Sequence, residues 1–318
     1  MIRIYDSWIY GDIMADKRLL DAFYEITGRE HVLTDEMMSR HTTFRIGGPA
    51  DYFVMPGNIG ELASLIRFLY ENGTPYTVIG NGSNLLVGDR GYRGVIIQLF
   101  HNLEQVEAVG ETMIRAQAGA LLARVASAAY DASLEGFEFA GGIPGTIGGA
   151  AVMNAGAYGG EFGSVLTDLT VVTKTGEIKT VPAKELAFGY RTSAVAGESY
   201  TAAEARITLV PGDRSVIRAR MEDFRERRIS KQPLEFPSAG STFKRPEGFY
   251  AGKLIMEAGL GGCRIGGAEV SLKHCGFVIN RGGATAEDVR MLIADIQERV
   301  MDKYHVMLEP EVRFLGEF

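Results

Sequence analysis

The stretch GGIPGTIGGAA, residues 141–151, decides how this 318-residue sequence is interpreted. It contains five glycines and no charged residue, and MNAG follows at residues 153–156. A backbone with so few side chains can lie directly against a flat or phosphorylated ligand. Ordering so many glycines costs conformational entropy, which ligand binding can offset. The stretch therefore predicts the seat of a large planar cofactor. Close packing of neighbouring elements is the alternative explanation.

Two further glycine loops come earlier in the chain. RIGGP, residues 45–49, combines an arginine with adjacent glycines, so its N–H groups and Arg45 could meet an anion, although a plain tight turn also fits. GNGSNLL, residues 80–86, follows a β-rich run, and successive N–H groups in such a loop converge on phosphate oxygens. Leu85 replaces the third glycine of the Rossmann fingerprint, and no Lys-Ser/Thr follows as in a P-loop. The loop thus indicates phosphate binding outside those two folds, or else a hairpin turn.

Two motifs in the second half of the chain carry candidate polar chemistry. In FGYRTS, residues 188–193, Arg191 lies between apolar stretches and needs an anionic partner, which could be a ligand or a structural carboxylate. PSAGSTFKRP, residues 237–246, places small hydroxyls beside a glycine and two cations, a combination suited to an anionic substrate or to a surface turn. Ser241 is not an evident acyl nucleophile, because no Gly-x-Ser-x-Gly elbow surrounds it.

Two motifs near the C-terminus add further ionisable groups. Lys273 and His274 stand between apolar runs of residues 265–280, although a lone histidine often has a structural role. Glu311 follows a proline in LEPEVRFL, residues 308–315, and could direct a carboxylate into a cleft or lie exposed at a strand end.

The hydrophobic pattern predicts a mixed α and β chain with a boundary at Pro211-Gly212-Asp213. The predicted helices cover residues 17–28, 58–73, 121–133, 214–230 and 285–300, and the predicted strands cover residues 51–55, 76–79, 95–99, 113–117, 170–173, 177–181, 200–210, 306–308 and 312–315.

Composition excludes several classes of protein. The net charge of −7 argues against a nucleic-acid-binding surface. Residues 1–16 lack a long apolar run and carry three aspartates, so we expect no signal peptide, and no apolar stretch of about 18 residues predicts a membrane span. Two cysteines suit a reducing cytoplasm, and five scattered histidines predict no metal site.

Taken together, the motifs resemble those of the MurB family, the UDP-N-acetylenolpyruvoylglucosamine reductases, over roughly residues 35–317. The resemblance rests on seven segments in the same order: residues 41–48, 80–86, 141–156, 189–191, 239–244, 265–280 and 309–313. KQPLE, residues 231–235, is similar to the shorter subtype that lacks an added tyrosine-bearing loop.

The resemblance implies an α+β fold. It has an FAD-binding domain of the vanillyl-alcohol-oxidase (PCMH) type in two subdomains, followed by a C-terminal α+β substrate-binding domain. The expected boundaries are an N-terminal helical segment over 1–34, an FAD-binding domain over 35–211 with subdomains at about 35–100 and 101–211, and a substrate-binding domain over 212–318.

The implied activity is NADPH-dependent, FAD-mediated reduction of UDP-N-acetylglucosamine enolpyruvate to UDP-N-acetylmuramate, a step of cytoplasmic peptidoglycan precursor synthesis. FAD would be held non-covalently. The resemblance assigns catalytic roles to Arg191, Ser241 and Glu311. It assigns cofactor contacts to Arg45, Gly47, Gly48, Gly80, Asn81, Gly82, Ser83, Asn84, Leu85, Gly142, Ile143, Pro144, Gly145, Thr146, Gly148, Gly149 and Asn154. It assigns substrate contacts to Tyr190, Lys231, Lys244, Lys273 and His274.

Two other functions remain open from the sequence. An oxidase on the same FAD scaffold would react with oxygen, and a non-catalytic flavin- or nucleotide-binding regulator would show no turnover. The sequence predicts neither the oligomeric state nor a preference for NADPH over NADH.

Overall fold

The computed structural model describes residues 17–197 and 200–318. Residues 17–27 form the predicted first helix, and the first 16 residues of the expected N-terminal segment lie outside the described residues. In chain order the helices are α1 (17–27), α2 (Ile59–Glu71), α3 (Leu122–Asp131), α4 (Ile147–Met153), α5 (Ala194–Gly197), α6 (Arg214–Lys231), α7 (Ala251–Glu257) and α8 (Ala286–Tyr304). The strands are β1 (Val32–Met37), β2 (Pro49–Val54), β3 (Tyr76–Ile79), β4 (Leu85–Val87), β5 (Tyr92–Gln98), β6 (Val106–Val109), β7 (Met113–Gln117), β8 (Leu134–Glu135), β9 (Gly156–Ala157), β10 (Gly160–Glu161), β11 (Leu166–Thr173), β12 (Ile178–Pro182), β13 (Tyr200–Thr208), β14 (Val210–Pro211), β15 (Arg264–Ile265), β16 (Ala268–Val270), β17 (Val278–Asn280) and β18 (Arg313–Leu315).

The first sheet has the order β1-β2-β5-β3, with β1 antiparallel to β2 and with β2 and β3 parallel to β5. Helix α2 begins as the sequence predicts, because the Asn58 side chain accepts a hydrogen bond from the N–H of Glu61 at 2.9 Å. The Glu61 carboxylate reaches back to the N–H of Gly57 at 2.7 Å and so satisfies a second donor before the first turn. The apolar face of α2 is then buried in the core.

The second sheet is antiparallel throughout, in the order β12-β11-β13-β7-β6. The predicted hairpin around residues 173–177 is confirmed as β11 and β12. Helices α3 and α4 pack on this sheet, and a single hydrophobic cluster joins it to the first sheet through α2. The two sheets therefore share one core.

The C-terminal part contains the sheet β15-β16-β17, covered by α8. A reciprocal capping box between Thr285 and Asp288 starts α8, and its predicted apolar face is buried. The hydrophobic core of this C-terminal part also includes Phe44, Ile46 and Leu86 from the N-terminal half of the chain. Strand β18 leaves this part altogether and pairs in parallel with β4.

The sequence missed β1, β4, β6 and the three strands of the C-terminal sheet, and its prediction of a strand over 306–308 was wrong, since those residues have no ladder partner. Helix α6, expected to open the substrate-binding domain, packs through Met221 and Phe224 against the core beneath α3. The domain boundary at Pro211 stays a prediction. Within the two described segments, no helix combines the length and the apolar character needed to cross a membrane.

Candidate active site

Two of the glycine loops that the sequence associates with a cofactor, residues 80–86 and 141–149, lie against each other. The side-chain Nδ2 of Asn81 donates to the carbonyl oxygen of Pro144 at 2.7 Å. A Cβ placed on Gly80 would meet Oγ1 of Thr146 at 2.2 Å, so this pair approaches as closely as only glycine permits. Strand β3 delivers the first loop and α4 follows the second, which brings both loops to one edge of the structure.

The glycines of these motifs divide into two groups. Gly82 has φ +60°, and a Cβ there would lie 2.1 Å from the carbonyl oxygen of His41, so the protein itself requires glycine. Gly145 and Gly149 differ, because a Cβ on either would find no protein atom nearer than 3.7 Å. Neither has a positive φ. Protein packing therefore does not require glycine at either position, and their contact with a cofactor stays a prediction.

Several residues that are predicted to contact the cofactor are buried in the protein or make hydrogen bonds within it. Gly47 and Gly48 are buried, and the N–H of Gly48 donates to the carbonyl oxygen of Gly88 at 2.9 Å. Asn154 ends α4 in the left-handed conformation, with its side chain bonded to the 189 carbonyl and to the N–H of Gly163. Arg45 is exposed. Gly47, Gly48 and Asn154 thus have structural roles, and Arg45 faces solvent. The contact of all four with a cofactor stays a prediction.

Arg191 and Glu311 form an ion pair between segments 120 residues apart in the chain. The Nε of Arg191 donates to Oε1 of Glu311 at 2.8 Å, and both side chains are largely buried. Arg191 also donates to the carbonyl oxygen of Gly156 at 3.2 Å. Its φ of +56° is unusual for a residue with a side chain and directs the guanidinium inward. The anionic partner that the sequence required for Arg191 is therefore Glu311.

The Glu311 carboxyl has a raised pKa. Burial is the main cause, since it penalises the charged form, while Arg191 and Lys244 act in the opposite direction. The net direction favours a protonated carboxyl at a higher pH than an exposed glutamate would allow. Such a group can donate a proton or a hydrogen bond beside a developing negative charge.

Ser241 is linked to this pair through a main-chain hydrogen bond of its neighbour. The carbonyl oxygen of the next residue, Thr242, accepts the N–H of Glu311 at 2.8 Å. Ser241 itself is exposed, and within the described residues its hydroxyl makes no hydrogen bond. Gly240, with φ +77°, turns the chain just before it. The three predicted catalytic residues thus come from three loops that meet.

The predicted substrate residues make contacts of their own within the protein. The Tyr190 hydroxyl accepts the N–H of Arg245 at 3.1 Å, and Lys244 pairs with Glu309. Lys273 forms a looser pair with Glu235 at 3.6 Å.

His274 has a lowered pKa, mainly through burial and in part through the charge of Lys231 at the end of α6. Its Nδ1 accepts the N–H of Gly276 at 3.1 Å, so the neutral ring carries its proton on Nε2. Lys231 and His274 therefore lie near each other, although they come from different parts of the C-terminal third.

A cavity of about 630 Å³ lies between α6 and residues 141–144. Its wall includes Arg218, Arg225 and Arg228, none of which has a carboxylate partner within the described part of the chain. Burial lowers the pKa of the Arg228 guanidinium, and this side chain lies directly over Gly142. The sequence showed only a basic helix here. The spacing of 218, 225 and 228 on one helical face is the signal that could have identified the cavity.

Comparison with known proteins agrees with this geometry. A family model described as the C-terminal domain of UDP-N-acetylenolpyruvoylglucosamine reductase matches residues 232–315, and one described as an FAD binding domain matches residues 50–182. The UDP-N-acetylenolpyruvoylglucosamine reductase of Agathobacter rectalis is 53% identical over 90% of this chain and 95% of its own length.

The chain belongs to the UDP-N-acetylenolpyruvoylglucosamine reductase family.

Another family member, from Exiguobacterium sibiricum, is 48% identical over 96% of this chain and 99% of its own length. The crystal structure of the reductase (MurB) from Thermus caldophilus superposes with a TM-score of 0.77 at 34% identity, covering 88% of this chain and 98% of that one. The predicted family, the α+β fold class and the FAD cofactor are confirmed. The roles of individual residues in this family member remain predictions.

Proposed function

We propose that this protein reduces UDP-N-acetylglucosamine enolpyruvate to UDP-N-acetylmuramate in the cytoplasm, with FAD held non-covalently and NADPH as the electron donor. The observation that carries the proposal is the buried Arg191–Glu311 pair, held beside both glycine loops and next to Ser241. A buried cation and a carboxyl of raised pKa together suit a substrate that bears a carboxylate and gains negative charge during reaction.

The residues of the FAD binding domain fit the binding of this cofactor. The loops over residues 80–86 and 141–149 would hold the cofactor by backbone, and the open space over Gly145 and Gly149 is where it would lie. When bound, FAD supplies the hydride that the substrate receives.

The protein's own groups then manage charge and protons. Hydride addition to the vinyl carbon leaves negative charge on the adjacent carbon and its carboxylate. Arg191 would neutralise that charge, and protonated Glu311 would donate a hydrogen bond to it. The Ser241 hydroxyl would deliver the proton that completes the reduction. A serine is a weak acid, so it depends on the neighbouring groups to assist the transfer.

The remaining polar groups suit the nucleotide end of the substrate. Tyr190, Lys231, Lys244, Lys273 and His274 would contact the sugar, carboxylate or phosphates. Separately from these residues, the cavity beneath α6 combines Arg218, Arg225 and Arg228 with the apolar side chains of Met221 and Phe224. A diphosphate and a nucleobase need that combination.

A two-step absorbance experiment tests the function. The purified protein should be yellow, lose its colour with NADPH in the absence of oxygen, and regain it when UDP-N-acetylglucosamine enolpyruvate is added. Rapid recolouring by air, without need of the enolpyruvyl substrate, would instead identify an oxidase. A flavin that NADPH does not bleach, with no turnover of the enolpyruvyl substrate, would identify a binding protein without catalytic activity.

A further inference from the structure

The Asn84 side chain lies between the phosphate-binding loop and the segment that carries Glu311. Its Nδ2 donates to the main-chain carbonyl oxygen of Glu311 at 3.1 Å. The main-chain carbonyl of Asn84 accepts the N–H of Arg313 at 2.9 Å. Asn84 therefore holds the chain on both sides of Val312, over 220 residues away in sequence.

These two bonds continue the parallel pairing of β4 with β18. Leu85 lies opposite Arg313 in that register, so Glu311 stands just beyond the last paired residue. A chain leaving a ladder is free to bend unless other bonds hold it. Here the Glu311 N–H is held by the Thr242 carbonyl at 2.8 Å and its carbonyl by Asn84. The backbone of Glu311 is thus fixed from two directions.

A fixed backbone determines where the carboxyl points. The Glu311 side chain reaches the Nε of Arg191 at 2.8 Å, a contact that a shift of 1 Å would break. The Nδ2 of Asn84 also donates to the Sδ of Met153 at 3.8 Å, so this amide group is directed to protein atoms. This geometry does not require Asn84 to bond a cofactor phosphate.

We propose that Asn84 is a positioning residue for Glu311, which transmits the position of the cofactor loop to the catalytic carboxyl. The inference rests on the proposed function. It assigns the side chain of Asn84 to the second half-reaction, although its place in the loop suggests cofactor binding. Misplacing a catalytic group by about 1 Å can cost up to ~10²-fold in rate, so loss of one of two restraints should cost about tenfold.

The test compares Asn84→Ala and Asn84→Asp with the parent by stopped-flow, following flavin reduction by NADPH and reoxidation by UDP-N-acetylglucosamine enolpyruvate separately. Asn102→Ala is the matched control, because the Asn102 Nδ2 also donates to a main-chain carbonyl, that of Met55 at 2.8 Å, in another part of the domain. We expect both Asn84 variants to keep their flavin and to be reduced within about threefold of the parent rate. Reoxidation of Asn84→Ala should slow about tenfold with an unchanged substrate Kd, and the control should match the parent.

The aspartate variant adds a pH readout that a general loss of stability would not produce. A protonated aspartate can donate to the Glu311 carbonyl as asparagine does, whereas an ionised one cannot. The ratio of the Asn84→Asp rate to the Asn84→Ala rate should therefore rise as the pH falls. Asn84→Ala provides the baseline for the titration of Glu311, whose carboxyl faces the charges of Arg191 and Lys244.

Two results would overturn the inference while leaving the proposed function intact. One is parent-like reoxidation of Asn84→Ala. The other is a loss of flavin or an equal slowing of both half-reactions, which would assign the side chain to the cofactor. A parent enzyme that the enolpyruvyl substrate cannot reoxidise would overturn the proposed function and this inference together.

Discussion

The chemistry of Glu311 depends on two opposing influences at a single residue. Burial raises the pKa of its carboxyl, and the cations Arg191 and Lys244 lower it by a smaller amount. The protonated form is therefore present at a higher pH than for an exposed glutamate, and it is lost as the pH rises through the raised pKa. A proton or hydrogen-bond donor at this position should make the substrate half-reaction fall at high pH.

Glu311→Gln tests this directly. We expect flavin reduction by NADPH to be nearly normal and reoxidation by substrate to slow by about 10²-fold or more, the scale of weakening one hydrogen-bond donor aimed at developing negative charge, because an amide is a far weaker acid than a carboxyl. The high-pH fall of the reoxidation rate should also disappear, because an amide does not titrate. Stopped-flow measurements of both half-reactions across pH would check this. Equal slowing of the two would place Glu311 in flavin binding.

Ser241 carries the proposed proton transfer. Its exposed hydroxyl makes no bond within the described residues, so Ser241→Ala should remove no structural contact. The variant should bind FAD and oxidise NADPH as the parent does, yet lose product formation by several orders of magnitude. Ser241→Cys should recover part of the loss, since a thiol can also donate a proton.

Ser127→Ala is the control for Ser241, because it removes an exposed hydroxyl from α3, outside the site. It should behave as the parent enzyme in both half-reactions. Normal reoxidation and normal product from Ser241→Ala would make Ser241 a turn residue only, with the proton coming from another source such as ordered water.

At the scale of elements, the loop that leads into α4 has room for side chains that its sequence does not supply. A Cβ on Gly145 would lie 3.7 Å or more from Leu122, Ile143 and Ser83, which is ordinary contact distance. The protein alone would tolerate a larger residue there. A cofactor lying over the loop would not.

Gly145→Val should therefore purify folded but colourless. Gly197→Val is the control, since a Cβ at Gly197 would meet no described atom within 4 Å and this residue lies in α5, away from the loop. Flavin absorbance and circular dichroism of both proteins provide the measurement. A yellow Gly145→Val protein with normal flavin content would show that the cofactor does not lie over this loop.

At the scale of the whole molecule, the C-terminal part is interlocked with the N-terminal part rather than attached by a linker. Residues Phe44, Ile46 and Leu86 belong to its core, and β18 pairs with β4. Asp89 also accepts the N–H groups of Ala286 and Glu287, at 2.8 and 3.0 Å, and so satisfies two free donors at the start of α8. This shared packing holds Glu311 against Arg191.

Asp89→Ala should lower the free energy of unfolding by about 1 kcal/mol, the usual effect of losing a group that caps a helix N-terminus. Asp89→Asn keeps one acceptor oxygen and should lose less. Urea denaturation followed by circular dichroism would check both values. Equal stability of parent and Asp89→Ala would mean that water replaces the carboxylate at no cost.

The sequence by itself determined the features that depend on local chain properties. The caps of α2 and α8 and the β11–β12 hairpin follow from neighbouring residues, and the structure agrees with them. The resemblance to the family also assigned catalytic roles to Arg191, Ser241 and Glu311, and these roles stay predictions.

Only the tertiary structure decided which of these groups meet. It paired Arg191 with Glu311, placed the Asn84 amide on the main-chain carbonyl oxygen of Glu311, and placed α6 over the cavity beside residues 141–144. It also distinguished two kinds of glycine. The backbone of Asp89 leaves no room for a side chain at Gly48, whereas no neighbouring atom excludes one at Gly145. The physical reason is that burial, ion pairing and steric room at a residue are set by segments far away in the chain, and no local pattern records which segment will be there.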